Sequence, residues 1–266
     1  MTNVKREVNE SEILSYEHYA ILCDAVYRPL FNQKLSGYEH QKIIKNRKGA
    51  SILRVLSNDK EVGIFFRGTN VLSDWFINLN IKPQITMING KKIYVHSGFL
   101  KALNQYPKEQ EEYNLFEILE KTLVEFEASK KAIVLAGHSL GGALAVLSAA
   151  RLQDKYQNNI SNVITFGQPA VGFVGFKKSY LLDNETIRVN SGLDIVTFLP
   201  GPFYKHVGRQ IWIHNDEVFE NVHWFRRIIK ILKHAFTAFI YDHKMEKYIR
   251  HKTLFLKSNL LKNKNG

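Results

Sequence analysis

Gly137-His138-Ser139-Leu140-Gly141 is the stretch of this chain best suited to chemistry. An apolar run, Ala132 to Ala136, leads into it, and Gly142-Ala143-Leu144-Ala145, small and apolar, follows at once with the composition of a helix start. A serine between glycines on a strand–turn–helix corner is held out above a sheet edge, in a turn too tight for flanking side chains. The helix beginning beside it turns N–H groups toward developing negative charge. That arrangement suits attack on a carbonyl carbon. The five-residue pattern alone would arise by chance roughly one time in ten in a chain this long. The strand before it and the helix after it make it specific; without them it would be an ordinary turn.

A serine hydroxyl becomes a nucleophile when a base takes its proton, and the base needs a group to orient it. In α/β-hydrolase chemistry, which such a corner resembles, the chain order is serine, acid, histidine. The acid then follows a strand downstream of Ser139. Asp194 fits, with Ile187-Arg188-Val189-Asn190 as the strand and Ser191-Gly192-Leu193-Asp194 as the turn after it. Asp183 precedes that strand and Asp216 sits in a hairpin turn. The bland reading of Asp194 is a local turn closed by its own side chain. The histidines beyond it are His206, His214, His223, His234, His243 and His251. His234 falls on the basic face of a helix, His206 stands in a loop, and His243 follows Asp242. By spacing alone His206 and His243 remain rivals. One donor to a developing oxyanion is the backbone N–H of Leu140, the residue after the serine.

The elements that would position these groups alternate. Residues 11–27 have the spacing of a packed helix; Ser51 to Leu56 and Val62 to Phe66 read as strands around Asn58-Asp59. Val71 to Ile81 has helical spacing, with Leu72, Trp75, Phe76 and Leu79 on one side, and Pro83 stops it. A short strand is expected at Lys92–Val95, helices at Ser97–Tyr106 and Glu109–Ser129, and strands at Asn162–Phe166 and Thr186–Asn190. Gln210–Ile213 and Glu217–Phe219 resemble a hairpin around Asn215-Asp216. Strands alternating with helices predict an α/β fold with a central, mostly parallel sheet. No internal repeat is present, and residues 1–266 read as one domain with a basic end from about residue 221.

Composition narrows the function classes. The single cysteine, Cys23, rules out an internal disulfide framework and a cysteine-rich zinc site. No run of 18 apolar residues suggests a spanning helix, and the N-terminus lacks the apolar stretch of a secretory signal. The expectation is a cytoplasmic protein, with signal-independent export as the alternative. Net charge is +12. Residues 221–266 hold eleven Lys/Arg and two acids, so this end carries nine of those charges. A basic end favours an anionic partner such as a membrane surface. Nucleic acid is not expected, since no nucleic-acid-binding fold accompanies the charge. Within that end, Trp224, Phe225, Ile228, Ile231, Leu232, Ala235, Phe236 and Phe239 recur at helical spacing opposite Arg226, Arg227, Lys230 and Lys233. Such a helix either lies in an anionic lipid interface or packs its apolar face on its own domain.

From about residue 15 to 250 the chain resembles the class 3 lipases, an α/β-hydrolase family. The resemblance rests on Phe66-Arg67-Gly68-Thr69, Val95-His96-Ser97-Gly98-Phe99, the 137–144 stretch, Thr165-Phe166-Gly167-Gln168-Pro169-Ala170-Val171-Gly172, and Arg188-Val189-Asn190 followed by Asp194. It implies Ser139 as nucleophile, Asp194 as acid and the histidine of Asp242-His243 as base, with His206 at a structural position. The family often has an aromatic three residues beyond that histidine; here Tyr248 comes five beyond, and the basic helix before it has no clear family counterpart. The resemblance also supplies Thr69 as the second oxyanion donor, its bland reading being a turn or helix N-cap residue, and a helical lid at Val71–Ile81 in which Trp75 and Phe76 suit covering the cleft, the alternative being an ordinary packed helix. It implies a serine esterase of lipids, an acylglycerol lipase, with no metal or organic cofactor. The alternatives are a phospholipase A on anionic membranes, and a membrane- or partner-binding module on a hydrolase scaffold. Oligomeric state is not set by the sequence.

Overall fold

In the computed structural model, residues 10–27, 37–47, 50–68, 82–107, 112–192, 194–214 and 217–222 are described. The expected lid at 71–81 and the basic end from 223 lie outside them.

An eight-stranded sheet forms the centre, in the order β1-β2-β3-β6-β7-β8-β9-β10. The strands are β1 (His40–Lys45), β2 (Ser51–Ser57), β3 (Glu61–Phe66), β6 (Ala132–His138), β7 (Ile160–Phe166), β8 (Thr186–Ser191), β9 (Arg209–His214) and β10 (Glu217–Glu220). Strands β3, β6, β7, β8 and β9 run parallel, and the outer strands add antiparallel edges. Parallel strands covered on both faces need apolar side chains on both. Ile133 to His138 are buried without interruption, as is all of β8.

The strand alternation divides the core. Leu53, Ile64, Phe66, Leu135 and Val163 face a large cluster shared with α2 (Ser97–Leu103), α3 (Leu115–Glu125) and α4 (Leu140–Tyr156). Phe65, Val134, Ala136, Ile164 and Val189 point the other way, into a second cluster with α1 (Glu10–Ala25). Helix α4 is buried along most of its length, which explains its small and apolar composition. No helix among the described residues is long and apolar enough to cross a membrane.

Two expectations change. The helix anticipated from Glu109 begins at Leu115, because Asn114 caps it: its side chain accepts from Glu117 N–H while Glu117 reaches back to Asn114 N–H. The expected strand near Lys92–Val95 is one half of a separate hairpin, β4 (Pro83–Ile88) with β5 (Lys91–His96). Pro83 opens β4, where a missing N–H is tolerated. Asn89 and Gly90 turn it with positive φ at both positions, as a two-residue type I′ turn requires. Strands β9 and β10 pair antiparallel as expected, with Glu217 opposite His214; residues 215 and 216 lie outside the described residues.

Candidate active site

The parallel strands bring the chemistry to one sheet edge. Strand β6 ends at His138, and Ser139 follows with φ 58° and ψ −125°. A side-chain-bearing residue holds that conformation only where its surroundings impose it, at a cost of order 1–3 kcal/mol. Here Ser139 N–H is bonded to the Phe166 carbonyl at the end of β7, 2.9 Å away. The flanking glycines leave no room for error. A Cβ on Gly137 would lie 2.3 Å from the Gly141 carbonyl carbon and oxygen, and one on Gly141 would lie 2.2 Å from the Phe66 carbonyl oxygen. The tight corner and the end of β3 are therefore packed backbone to backbone.

Ser139 is fully buried, and its hydroxyl has no hydrogen-bond partner among the described residues. The Leu140 N–H heads α4 and has none there either. A buried hydroxyl beside an N–H left open at a helix start is a site able to receive a carbonyl oxygen.

Gly68 closes the other side. A Cβ there would lie 3.2 Å from the Ser139 Cβ and 2.4 Å from the Tyr27 hydroxyl, so only glycine lets the β3 exit approach the serine. Thr69 follows directly but lies outside the described residues, as do Trp75 and Phe76.

Tyr27 was not a sequence candidate, yet it ties these parts together. Its hydroxyl accepts from the Gly68 N–H at 2.9 Å and lies 3.1 Å from His138 Nδ1. Burial holds the phenol well above its ordinary range, so it keeps its proton. The Arg67 guanidinium covers the Tyr27 ring at 5.2 Å. The turn after α1 thus links the residue before the serine to the residue before Thr69.

Asp194 follows β8 at the same sheet edge and is fully buried. It caps a 3₁₀ turn, Ile195–Phe198: Oδ1 accepts from Val196 N–H at 2.9 Å, and its carbonyl accepts from the Thr197 hydroxyl at 2.8 Å. The local-turn reading of Asp194 is correct as far as it goes. A buried carboxylate nevertheless needs charge-complementary donors as well. His206 lies on this same turn, with Nε2 2.9 Å from the Thr197 carbonyl oxygen. A ring nitrogen engaged with a backbone carbonyl braces the acid's turn. His214 ends β9, stacked on Trp212 at 4.8 Å. His243 lies outside the described residues.

His96 caps α2 through Nδ1, which accepts from Gly98 N–H at 3.1 Å, and its ring stacks on Phe99 at 4.2 Å. Burial lowers its pKa from 6.5 to about 4, so it is neutral at ordinary pH. Among the described residues no group of three His, Cys, Asp or Glu side chains is placed to hold a metal ion.

Fold and corner together define an α/β-hydrolase. The pattern of the family Lipase (class 3) matches residues 63–204, and the chain belongs to that family. It is 32% identical over 168 residues to the lipase of Rhizomucor miehei, covering 60% of this chain and 43% of that protein. It is 26% identical over 169 residues to phospholipase A1-II 1 of Oryza sativa subsp. indica, covering 58% and 43%. The chain thus spans less than half the length of these curated relatives. The crystal structure of the lipase from Rhizopus microsporus var. chinensis superposes with a TM-score of 0.64 at 24% identity, over 84% of this chain and 82% of that one. Lipase II from Rhizopus niveus gives 0.65 at 22%, over 81% and 86%. Both likenesses are of fold.

Proposed function

We propose that this protein hydrolyses carboxylic esters of lipids, acylglycerols foremost, through an acyl-enzyme on Ser139. The observation that carries the reading is the buried, strained Ser139 with its hydroxyl unengaged among the described residues, beside the open Leu140 N–H. His243 takes the hydroxyl proton as Ser139 attacks the ester carbonyl, and Asp194 orients the imidazole and stabilises its charged form. The Leu140 N–H and Thr69 hold the oxyanion. The alcohol leaves with the proton returned by His243, and water repeats the sequence to release the acid. Trp75 and Phe76 cover the cleft in water and turn toward lipid at an interface. No step calls for a metal or an organic cofactor.

A second substrate reading has specific support. The plant relatives include phospholipases A1, and the basic excess suits anionic membranes. The assay that tests both uses p-nitrophenyl esters of short and long acyl chains, then dispersed triacylglycerol and phosphatidylglycerol, with Ser139→Ala in parallel. Activity lost in Ser139→Ala supports the hydrolase, and the better lipid decides between the readings. No activity in wild type with lipid interface present would leave the binding-module alternative standing.

A further inference from the structure

The β4–β5 hairpin is built the wrong way round for a surface element. Antiparallel hairpins with one solvated face normally turn polar side chains outward. Here Ile88, Ile93 and Val95 enter the core, while the opposite face presents Ile85 beside Tyr94 and Met87 beside Lys92. Ile85 is 46% exposed, Met87 53% and Tyr94 50%. The segments packed on this hairpin carry two more exposed apolar residues, Val174 at 55% and Phe203 at 78%. The segments are physically joined, since Gly172 bridges Val95 on one side and Lys205 on the other. Tyr94 stacks on Phe173 at 6.3 Å, and Phe173 meets Tyr204 edge-on at 4.7 Å.

The charge on this ledge has one sign. Lys82, Lys91, Lys92, Lys177, Lys178 and Lys205 are all exposed. Residues 82–107, 167–182 and 199–209 contain no Asp or Glu. None of the six lysines forms an ion pair with a described residue. The ledge also stands at the catalytic edge. His96 N–H bonds the Val171 carbonyl and Ala170 N–H the Leu199 carbonyl, so it is carried on the exits of β7 and β8.

We propose that this apolar, lysine-ringed ledge seats the protein on an anionic lipid bilayer. Ile85, Met87, Tyr94, Val174 and Phe203 enter the acyl–headgroup boundary, and the lysines meet phosphate headgroups around them. A second copy of the chain would not fit as well, since it would set lysines against lysines. The ledge would hold the site against the surface that supplies its ester. In purpose it rests on the proposed function; its test does not.

The test is flotation of the full chain carrying Ser139→Ala, so that no lipid is consumed, with vesicles of phosphatidylcholine alone or mixed equally with phosphatidylglycerol. Binding is expected to the phosphatidylglycerol vesicles and to weaken with salt. Ile85→Ser/Met87→Ser/Tyr94→Ser, and separately Lys91→Gln/Lys92→Gln/Lys177→Gln/Lys178→Gln, should each reduce partitioning at least about tenfold. On an active background both should keep wild-type hydrolysis of p-nitrophenyl acetate, which also reports folding. If the serine variant misfolds, the glutamine variant decides. Partitioning unchanged in the folded variants would overturn the proposal. So would a loss confined to Arg226→Gln/Arg227→Gln/Lys230→Gln/Lys233→Gln, which would assign the membrane to the basic end. A serine variant that turns a dimer into a monomer without losing vesicles would assign the ledge to a second copy instead.

Discussion

Tyr27→Phe removes one oxygen, and the structure says what that oxygen does. The phenol accepts from the Gly68 N–H at 2.9 Å and meets His138 Nδ1 at 3.1 Å. Phenylalanine fills the same space, so the core should not collapse. It leaves a buried N–H without its acceptor, at a cost of about 1–3 kcal/mol. Gly68 packs against the serine Cβ and precedes Thr69, so the cost falls on the loop proposed to hold the oxyanion. Each 1.4 kcal/mol of lost transition-state stabilisation is about tenfold in rate, which predicts a fall in kcat of roughly tenfold to a hundredfold. KM should change little, because the loop contributes most when charge develops. The assay is steady-state hydrolysis of p-nitrophenyl butyrate, normalised to serines titrated with a phosphonate ester, with thermal unfolding measured alongside. A merely structural role would lower the melting temperature, by about 2–4 °C per kcal/mol in a chain of this size, and leave activity per titrated serine unchanged. That outcome, or a kcat within twofold of wild type, would mean that the Tyr27 hydroxyl has no part in holding the loop before Thr69 for catalysis.

Three further outcomes follow from the same geometry. His243→Ala should lower kcat by about a thousandfold or more with stability intact, whereas His206→Ala, which frees the Thr197 carbonyl, should cost about 1–3 kcal/mol in urea unfolding and far less activity; the reverse pattern would make His206 the base. Gly141→Ala should yield no soluble protein, because its Cβ would meet the Phe66 carbonyl oxygen at 2.2 Å and relief would cost more than about 4 kcal/mol; a soluble variant with the wild-type urea midpoint would contradict the packing described. The pKa of His96 is lower in the folded protein than the unfolded value of 6.5, at about 4, so the unfolded chain takes the proton first. Stability present above pH 6.5 should therefore fall, by up to about 3 kcal/mol, as pH drops toward 4. His96→Asn keeps a capping acceptor that does not titrate, and its urea midpoint should change less over that window.

Most of the sheet edge that carries Ser139 and Asp194 was legible because its constraints are local. A tight corner demands glycine at 137 and 141, and a strand with a turn after it announces Asp194. The Asn215-Asp216 hairpin likewise declares itself between alternating strands. Tyr27 was invisible because its partners lie 41 and 111 residues away, and no spacing rule reaches that far. Strand β1 escaped because it is a polar edge strand with only Ile44 buried. Strand β4 escaped for a different reason: the Asn89-Gly90 signal was present, but Pro83 drew attention to the end of a helix rather than the start of a strand. The base, the second oxyanion donor and the lid came from family resemblance, and their residues, His243, Thr69, Trp75 and Phe76, lie outside those the structure describes.

The proposed chemistry turns on Ser139 as the nucleophile of an ester hydrolase. Its most direct measurement is exposure of the full chain to a long-chain fluorophosphonate, followed by peptide mass spectrometry and residual p-nitrophenyl butyrate hydrolysis. One adduct is expected, on Ser139, with activity lost in proportion to labelling and no adduct in Ser139→Ala. Labelling elsewhere with activity still lost, or hydrolysis that survives in Ser139→Ala at the wild-type rate, would contradict it.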